Sequence, residues 1–222
     1  MPHAATGDPD DRQIRVALLS AHPLAEIIWI RPFPHGVPPV QDKDEVFDQS
    51  AAGGVDESMT GEMGRGGLAA TIQIDGTRVT VVTAHFKSKL INYARKPGVV
   101  GGSKFAPNDE GERLRYAGYA IFRRTGEAMT ARDHLDQVLA DPASPTLGLG
   151  RERAVVFCGD LNDEPTAATT QIVAGPTGSE VDLTRGSAFH HPDHDDAFRL
   201  WNLAPLLPED QRVTRKSRAG PS

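Results

Sequence analysis

The chain has 222 residues, 38% apolar and 24% charged, with 24 Lys+Arg against 30 Asp+Glu and a formal net charge of −6. This is ordinary globular composition; the longest apolar runs are strand-sized, no repeat period is present, and an integral membrane or fibrous protein is excluded. One cysteine, Cys158, excludes an intramolecular disulfide and any multi-cysteine zinc site.

The N-terminus, MPHAATGDPDDRQIRV, has no basic region followed by an apolar core. No secretory signal and a cytoplasmic location are therefore expected. Residues 14–20, IRVALLS, read as a buried strand, and residues 26–33, EIIWIRPF, as a second one ended by Pro32 and Pro34. Residues 34–66 are rich in Pro, Gly and acid without a sustained period, and read as a long, flexible acidic loop. Within 41–62, Asp42, Asp44, Glu45, Asp48, Asp56, Glu57 and Glu62 face Lys43 alone, which accounts for the chain's whole net charge. The balanced remainder holds no large basic footprint for tight nucleic-acid binding.

Residues 68–74 and 78–84 flank Asp75-Gly76, a strong hairpin signal because Asp-Gly tolerates the positive φ of a tight turn. Residues 91–107 read as a loop. Residues 109–139 show helical spacing at Leu114, Ala117, Ile121, Leu135, Val138 and Leu139, with Asp109, Glu110 and Glu112 at the start, where the helix dipole favours acids. Gly118 and Gly126 argue against one unbroken helix. After a Pro/Gly linker at 140–152, residues 153–159, RAVVFCG, read as a short buried strand, followed by a helix at 166–174 and an apolar segment at 198–207. Strands and helices alternate without regular spacing, which predicts a mixed α/β layered fold.

Two strand ends carry the chemistry. In Gly159-Asp160-Leu161-Asn162-Asp163-Glu164-Pro165, alternation past the strand places Asp160 and Asn162 on one side. A carboxylate there can accept a proton from water or bind a hard cation, and a carboxamide can donate to an oxyanion. The plainer reading is a turn, since Asp, Asn and Pro are common at strand exits. In Ala84-His85-Phe86-Lys87-Ser88-Lys89, the histidine can donate to a phosphate oxygen or move a proton, and Lys87 and Ser88 add donors for an anion. Its plainer reading is a hydrogen-bonded histidine at a strand end.

HFKS after one strand and GDLNDEP after another resemble the endonuclease/exonuclease/phosphatase superfamily, the fold of DNase I-like nucleases, sphingomyelinases and inositol polyphosphate phosphatases. IRVALLSAHPL at 14–24, the hairpin at 65–84, DEGERLRYAGYAIFRR and, as in some bacterial members, RLWNLAPLLP extend the resemblance over nearly the whole chain. It implies one domain over 1–222, a four-layer sandwich of two mixed sheets flanked by helices, and Mg²⁺- or Mn²⁺-dependent hydrolysis of phosphoesters or phosphodiesters. His85 matches the histidine that contacts the scissile phosphate, Asp160 the aspartate that activates water, and Asn162 the asparagine that holds phosphate or helps bind metal. Lys87 and Ser88 match the supporting residues of the first motif, and Gln13 stands where the family commonly has Gly. The acidic loop favours a small phosphoester over duplex DNA, which it would repel.

Two family features are not found: the N-terminal Asn and the Glu that is the principal metal ligand, and the C-terminal Asp-His pair. The expectation is an incomplete domain with weak or no activity. A catalytically dead remnant or binding module is the alternative.

The cluster His190, His191, Asp193, His194, Asp195 and Asp196 offers transition-metal ligands, set against a solvated polar loop. Gly98–Lys104 lacks the spacing of a phosphate loop. Arg65 opens a strand and could aim at a phosphate, although a surface turn is the simpler reading. Arg212, Arg215, Lys216 and Arg218 read as a solvated basic tail. Cys158 reads as a small core thiol, and Trp29 and Trp201 as packing residues.

Overall fold

The computed structural model of the chain describes residues 2–10, 12–43, 59–93, 103–140, 153–175 and 199–211. The strands are β1 (His3–Thr6), β2 (Ala17–Ser20), β3 (Ala25–Pro32), β4 (Val40–Gln41), β5 (Met59–Thr60), β6 (Glu62–Ile74), β7 (Thr77–His85) and β8 (Arg153–Asp160). The helices are α1 (Glu110–Leu139) and α2 (Ala168–Ala174), with single 3₁₀ turns at Ala204–Leu206 and Glu209–Gln211. β3, β6, β7 and β8 form one mixed sheet in that order, and β1–β2 and β4–β5 are two-stranded ribbons.

The hairpin forms at Asp75-Gly76, where φ is +49° and +81°, and β6 pairs antiparallel with β7 from Ile74↔Thr77 to Gly67↔Ala84. β8 pairs parallel with β7, from Arg78↔Arg153 to His85↔Asp160. A parallel return needs a long crossover, and α1 lies in that crossover. Asp109 caps α1 by accepting from Glu112 N at 2.7 Å.

Alternation along β6 divides the core. Ala69 joins Met63, Val82, Ala84, Phe86, Ala128, Ala131, Leu135 and Val173 in the layer between sheet and helices. Leu68, on the other face, packs with Ala5 and Val16 of the N-terminal segment, beside Trp29. Burying a side chain such as Leu135 or Phe86 contributes about 1.5–3 kcal/mol.

Several expectations are corrected. The first strand shortens to Ala17–Ser20 and acquires an N-terminal partner, β1. The stretch read as a loop at 34–66 contains β4, β5 and the start of β6; its residues 44–58 lie outside the described residues. α1 runs unbroken through Gly118 and Gly126, because Gly126 admits the Phe33 ring, which a Cβ would meet at 2.6 Å. In its N-terminal half its buried face is not the one the apolar spacing predicts, whereas Leu135 is buried as expected. Leu114 is 70% and Ile121 52% exposed, while Tyr116, Ala120, Arg124, Glu127, Ala128, Ala131 and Leu135 are buried. The last strand is buried on one side only: Val155 and Phe157 pack toward the helices, whereas Val156 and Cys158 are exposed. Cys158 is therefore not a core thiol, since period-two alternation turns it away from the helix layer.

The described residues hold the four-stranded sheet with helices on one face; a second large sheet is not among them. No helix among them is long and apolar enough to cross a membrane.

Candidate functional site

The site forms at the carboxyl ends of the two parallel strands, where open α/β sheets place their crevices. The β7–β8 register sets His85 beside Asp160. Phe86 N then donates to Asp160 O at 3.0 Å, extending the pairing one residue past β7. Gly159 permits the approach: its φ is +136°, and a Cβ there would lie 2.0 Å from Ala84 O.

His85 Nε2 lies 3.7 Å from Asp160 Oδ2. Asp160 is exposed, and its Oδ1 accepts from Asn162 N at 3.0 Å. Asn162 is left-handed, with φ +52°, and its Nδ2 donates to Phe86 O at 2.9 Å. Asp160 and Asn162 are thus brought together by an Asx turn, not by continued pleating. The turn and the cluster are one feature. With Nδ2 spent on Phe86 O, Asn162 Oδ1 is the atom left for a donor or a cation.

Arg65 is a central residue and not part of a surface turn. It is 9% exposed; its Nε donates to Asp10 Oδ2 at 2.9 Å and its Nη1 to His85 Nε2. Gly66 allows this path: at φ +67° it passes the Trp29 ring and Ile30 O, which a Cβ would meet at 2.5 and 2.9 Å. Guanidinium only donates, so Nε2 of His85 is an acceptor and carries no proton. His85, expected to donate to phosphate, is engaged with Arg65, which is the nearest charged donor. Burial and then the Arg65 charge hold the His85 pKa below its usual value, against the opposing pull of Asp160 and Asp10. Burial alone would raise the Asp10 carboxyl, but the Arg65 hydrogen bond and the Ile14 N–H outweigh it and the pKa is lowered.

Lys87 and Ser88 line the same cleft, of about 410 Å³, with Asp10, Arg12, Arg65 and Lys104. The Lys87 ammonium is turned onto Ser88 O and Leu90 O, at 3.2 and 3.0 Å. Burial lowers its pKa. A second cleft, of about 360 Å³, opens beside Asp160, Asn162 and Asp163. Asp163 is a half-buried anchor: its carboxylate takes Thr169 Oγ1 at 2.6 Å, Lys89 Nζ at 2.9 Å and Arg124 Nε at 3.1 Å. Burial would raise this acid, yet these donors bring it down to about 2.

Three residues here were missed in the sequence. Asp10 had a signal, as an Asx-turn residue whose Oδ1 accepts from Arg12 N and Ile14 N, each at 2.9 Å. Glu127 had one too, a lone acid among Ala120, Ala128, Ala131 and Leu135 on a single helix face. Asp163 was quoted in the motif without a role.

Among the described residues no group of three or more His, Cys, Asp or Glu could hold a metal ion. Magnesium, however, takes only one or two protein carboxylates and completes its shell with water and phosphate. Asp160 with the Asn162 carbonyl oxygen fits that donor chemistry. The 190–196 cluster, the tail beyond 211 and residues 98–102 lie outside the described residues.

No protein-family model matches the chain, and no curated protein matches it. Among solved structures, the chain is similar to sphingomyelinase C from Streptomyces griseocarneus, at 18% identity and a TM-score of 0.37, over 71% of this chain and 36% of that one. The chain therefore spans about a third of that enzyme's length.

Proposed function

We propose that the chain is a metal-dependent hydrolase of phosphoester or phosphodiester bonds, built as one DNase I-like domain. The observation that carries this reading is the meeting of three groups at one strand end. Asp160 and His85 are in register, and the Arg65 guanidinium lies on His85. Asp160 would accept the proton of an attacking water, and the bond from phosphorus to its leaving oxygen would break. Arg65 would hold the phosphate oxygens, with Lys87 and Ser88 along the cleft. Mg²⁺ or Mn²⁺, held by Asp160 and Asn162, would supply charge neutralisation at the phosphate. The HFKS and GDLNDEP motifs support the same reading.

The test is release of nitrophenolate from bis(p-nitrophenyl) phosphate by the purified chain with Mg²⁺ or Mn²⁺, beside Asp160→Ala. Slow, metal-dependent turnover is expected, because Asp160 is an exposed carboxylate at the strand end beside His85 and Arg65. Loss of about 100-fold or more in Asp160→Ala is the expected cost of removing the proton acceptor. Release no greater than that of the variant would sink the hydrolase reading and leave a binding module.

A further inference from the structure

The β6–β7 ladder ends at Gly67↔Ala84. Arg65 and His85, which meet at the site, both lie beyond it. On the other side His85 is fixed by its register with Asp160 and by the Phe86–Asp160 hydrogen bond. On the other edge β6 is held by β3 at Pro32↔Glu62, and α1 provides a tie between β6 and the end of β7.

We propose that Glu127 is the positioning residue that sets where Arg65 and His85 meet. Its side chain is 1% exposed. Oε1 accepts from Gly64 N, next to Arg65, at 3.1 Å, and Oε2 accepts from Lys87 N, two residues past His85. One buried carboxylate therefore spans β6 and the segment after β7 where the pairing between these two strands has stopped. Arg124, one turn earlier on the same face, donates to Lys87 O at 3.2 Å, so α1 holds both the N–H and the C=O of Lys87. Arg124 also binds Asp163 at 3.1 Å, beside Asn162. Arg123 offsets the buried charge, with Nε 3.5 Å from Glu127 and Nη1 2.6 Å from Asp42.

A carboxylate in an apolar layer is costly unless donors surround it, and packing alone would be better served by an apolar side chain. Here both donors are backbone groups of the site segments. The positioning role rests on the reading of Arg65 as a group that holds substrate and of His85 as its partner; the clamp itself does not.

The test is Glu127→Gln in the full chain. A glutamine can accept one of the two N–H groups, but its NH₂ opposes the other. At one fixed pH, nuclear magnetic resonance reads the ¹⁵N shift of His85 Nε2 and the Nε–H signal of Arg65. Both are expected to move in Glu127→Gln and to stay in Leu135→Ala, a destabilised control on the same helix without a site contact. On bis(p-nitrophenyl) phosphate, kcat is expected to fall about 100-fold, as for a misplacement of about 1 Å, with KM nearly unchanged. Wild-type positions for both signals in Glu127→Gln would overturn the proposal, even if its Tm falls. Should the variant not fold, amide exchange in the wild-type chain decides. Exchange at Gly64 and Lys87 as slow as in the middle of β7 supports the clamp, and fast exchange overturns it. Absence of hydrolysis by the wild-type chain would refute the hydrolase reading while leaving the spectra to judge the clamp.

Discussion

Replacing Gly159 by alanine should separate β7 from β8 at the site. The added Cβ would lie 2.0 Å from Ala84 O and 2.9 Å from Ala84 N, both backbone atoms of the neighbouring strand. A Cβ contact below 3.0 Å is essentially never seen, so the strands must move apart by about 1 Å. The φ of +136° adds strain, because that region is open to glycine and hardly to L side chains. Overpacking costs about 1–3 kcal/mol and the backbone about 1–3 kcal/mol, so a loss of about 3 kcal/mol is expected. In a chain of this size that lowers Tm by roughly 10 °C. The same movement lengthens the 3.7 Å His85–Asp160 separation, so hydrolysis should fall about 100-fold. Urea unfolding of Gly159→Ala beside the wild type reads the first effect, and phosphodiester turnover the second. A variant within about 0.5 kcal/mol of the wild type, the range of a neutral surface change, would refute the reasoning.

Two further outcomes follow from single groups. Asp163 titrates at about 2 in the folded chain against 3.8 ordinarily; a depressed acid stabilises above its unfolded pKa and loses that stabilisation as pH falls from about 4 through 2. The gap is worth about 2 kcal/mol, so Asp163→Asn should be less stable than the wild type by at least that much at pH 6 and converge with it near pH 2; parallel urea curves across the range would contradict this. Gln13 is held at φ +63° while its N–H donates to Asp10 O at 2.8 Å. Gln13→Gly should keep that bond, relieve about 1 kcal/mol of strain and raise Tm, and a lower Tm would show that the left-handed turn is not strained.

Local sequence determined the elements whose signals are local. Asp75-Gly76 made the hairpin, because only a few residue pairs accept its φ values. Asp109 and Glu112 marked where α1 starts, since a helix N-terminus needs acceptors for its free N–H groups. The strand-end motifs located His85, Asp160 and Asn162 before any geometry was known, and Gln13 was marked as a position usually held by Gly. Tertiary structure decided what depends on neighbours distant in the chain. Which face of α1 is buried followed from what it meets: the sheet and its bound backbone groups accept Arg124 and Glu127, while Leu114 and Ile121 face outward. Cys158 became exposed because alternation on β8 turned it from the helix layer. Arg65 became central because a left-handed Gly66 and a loop carrying Asp10 brought polar partners from 55 residues upstream and 20 residues downstream. Pairing between polar groups distant in the chain leaves no periodicity, so only the folded packing of β6, β7, β8 and α1 could assemble the site.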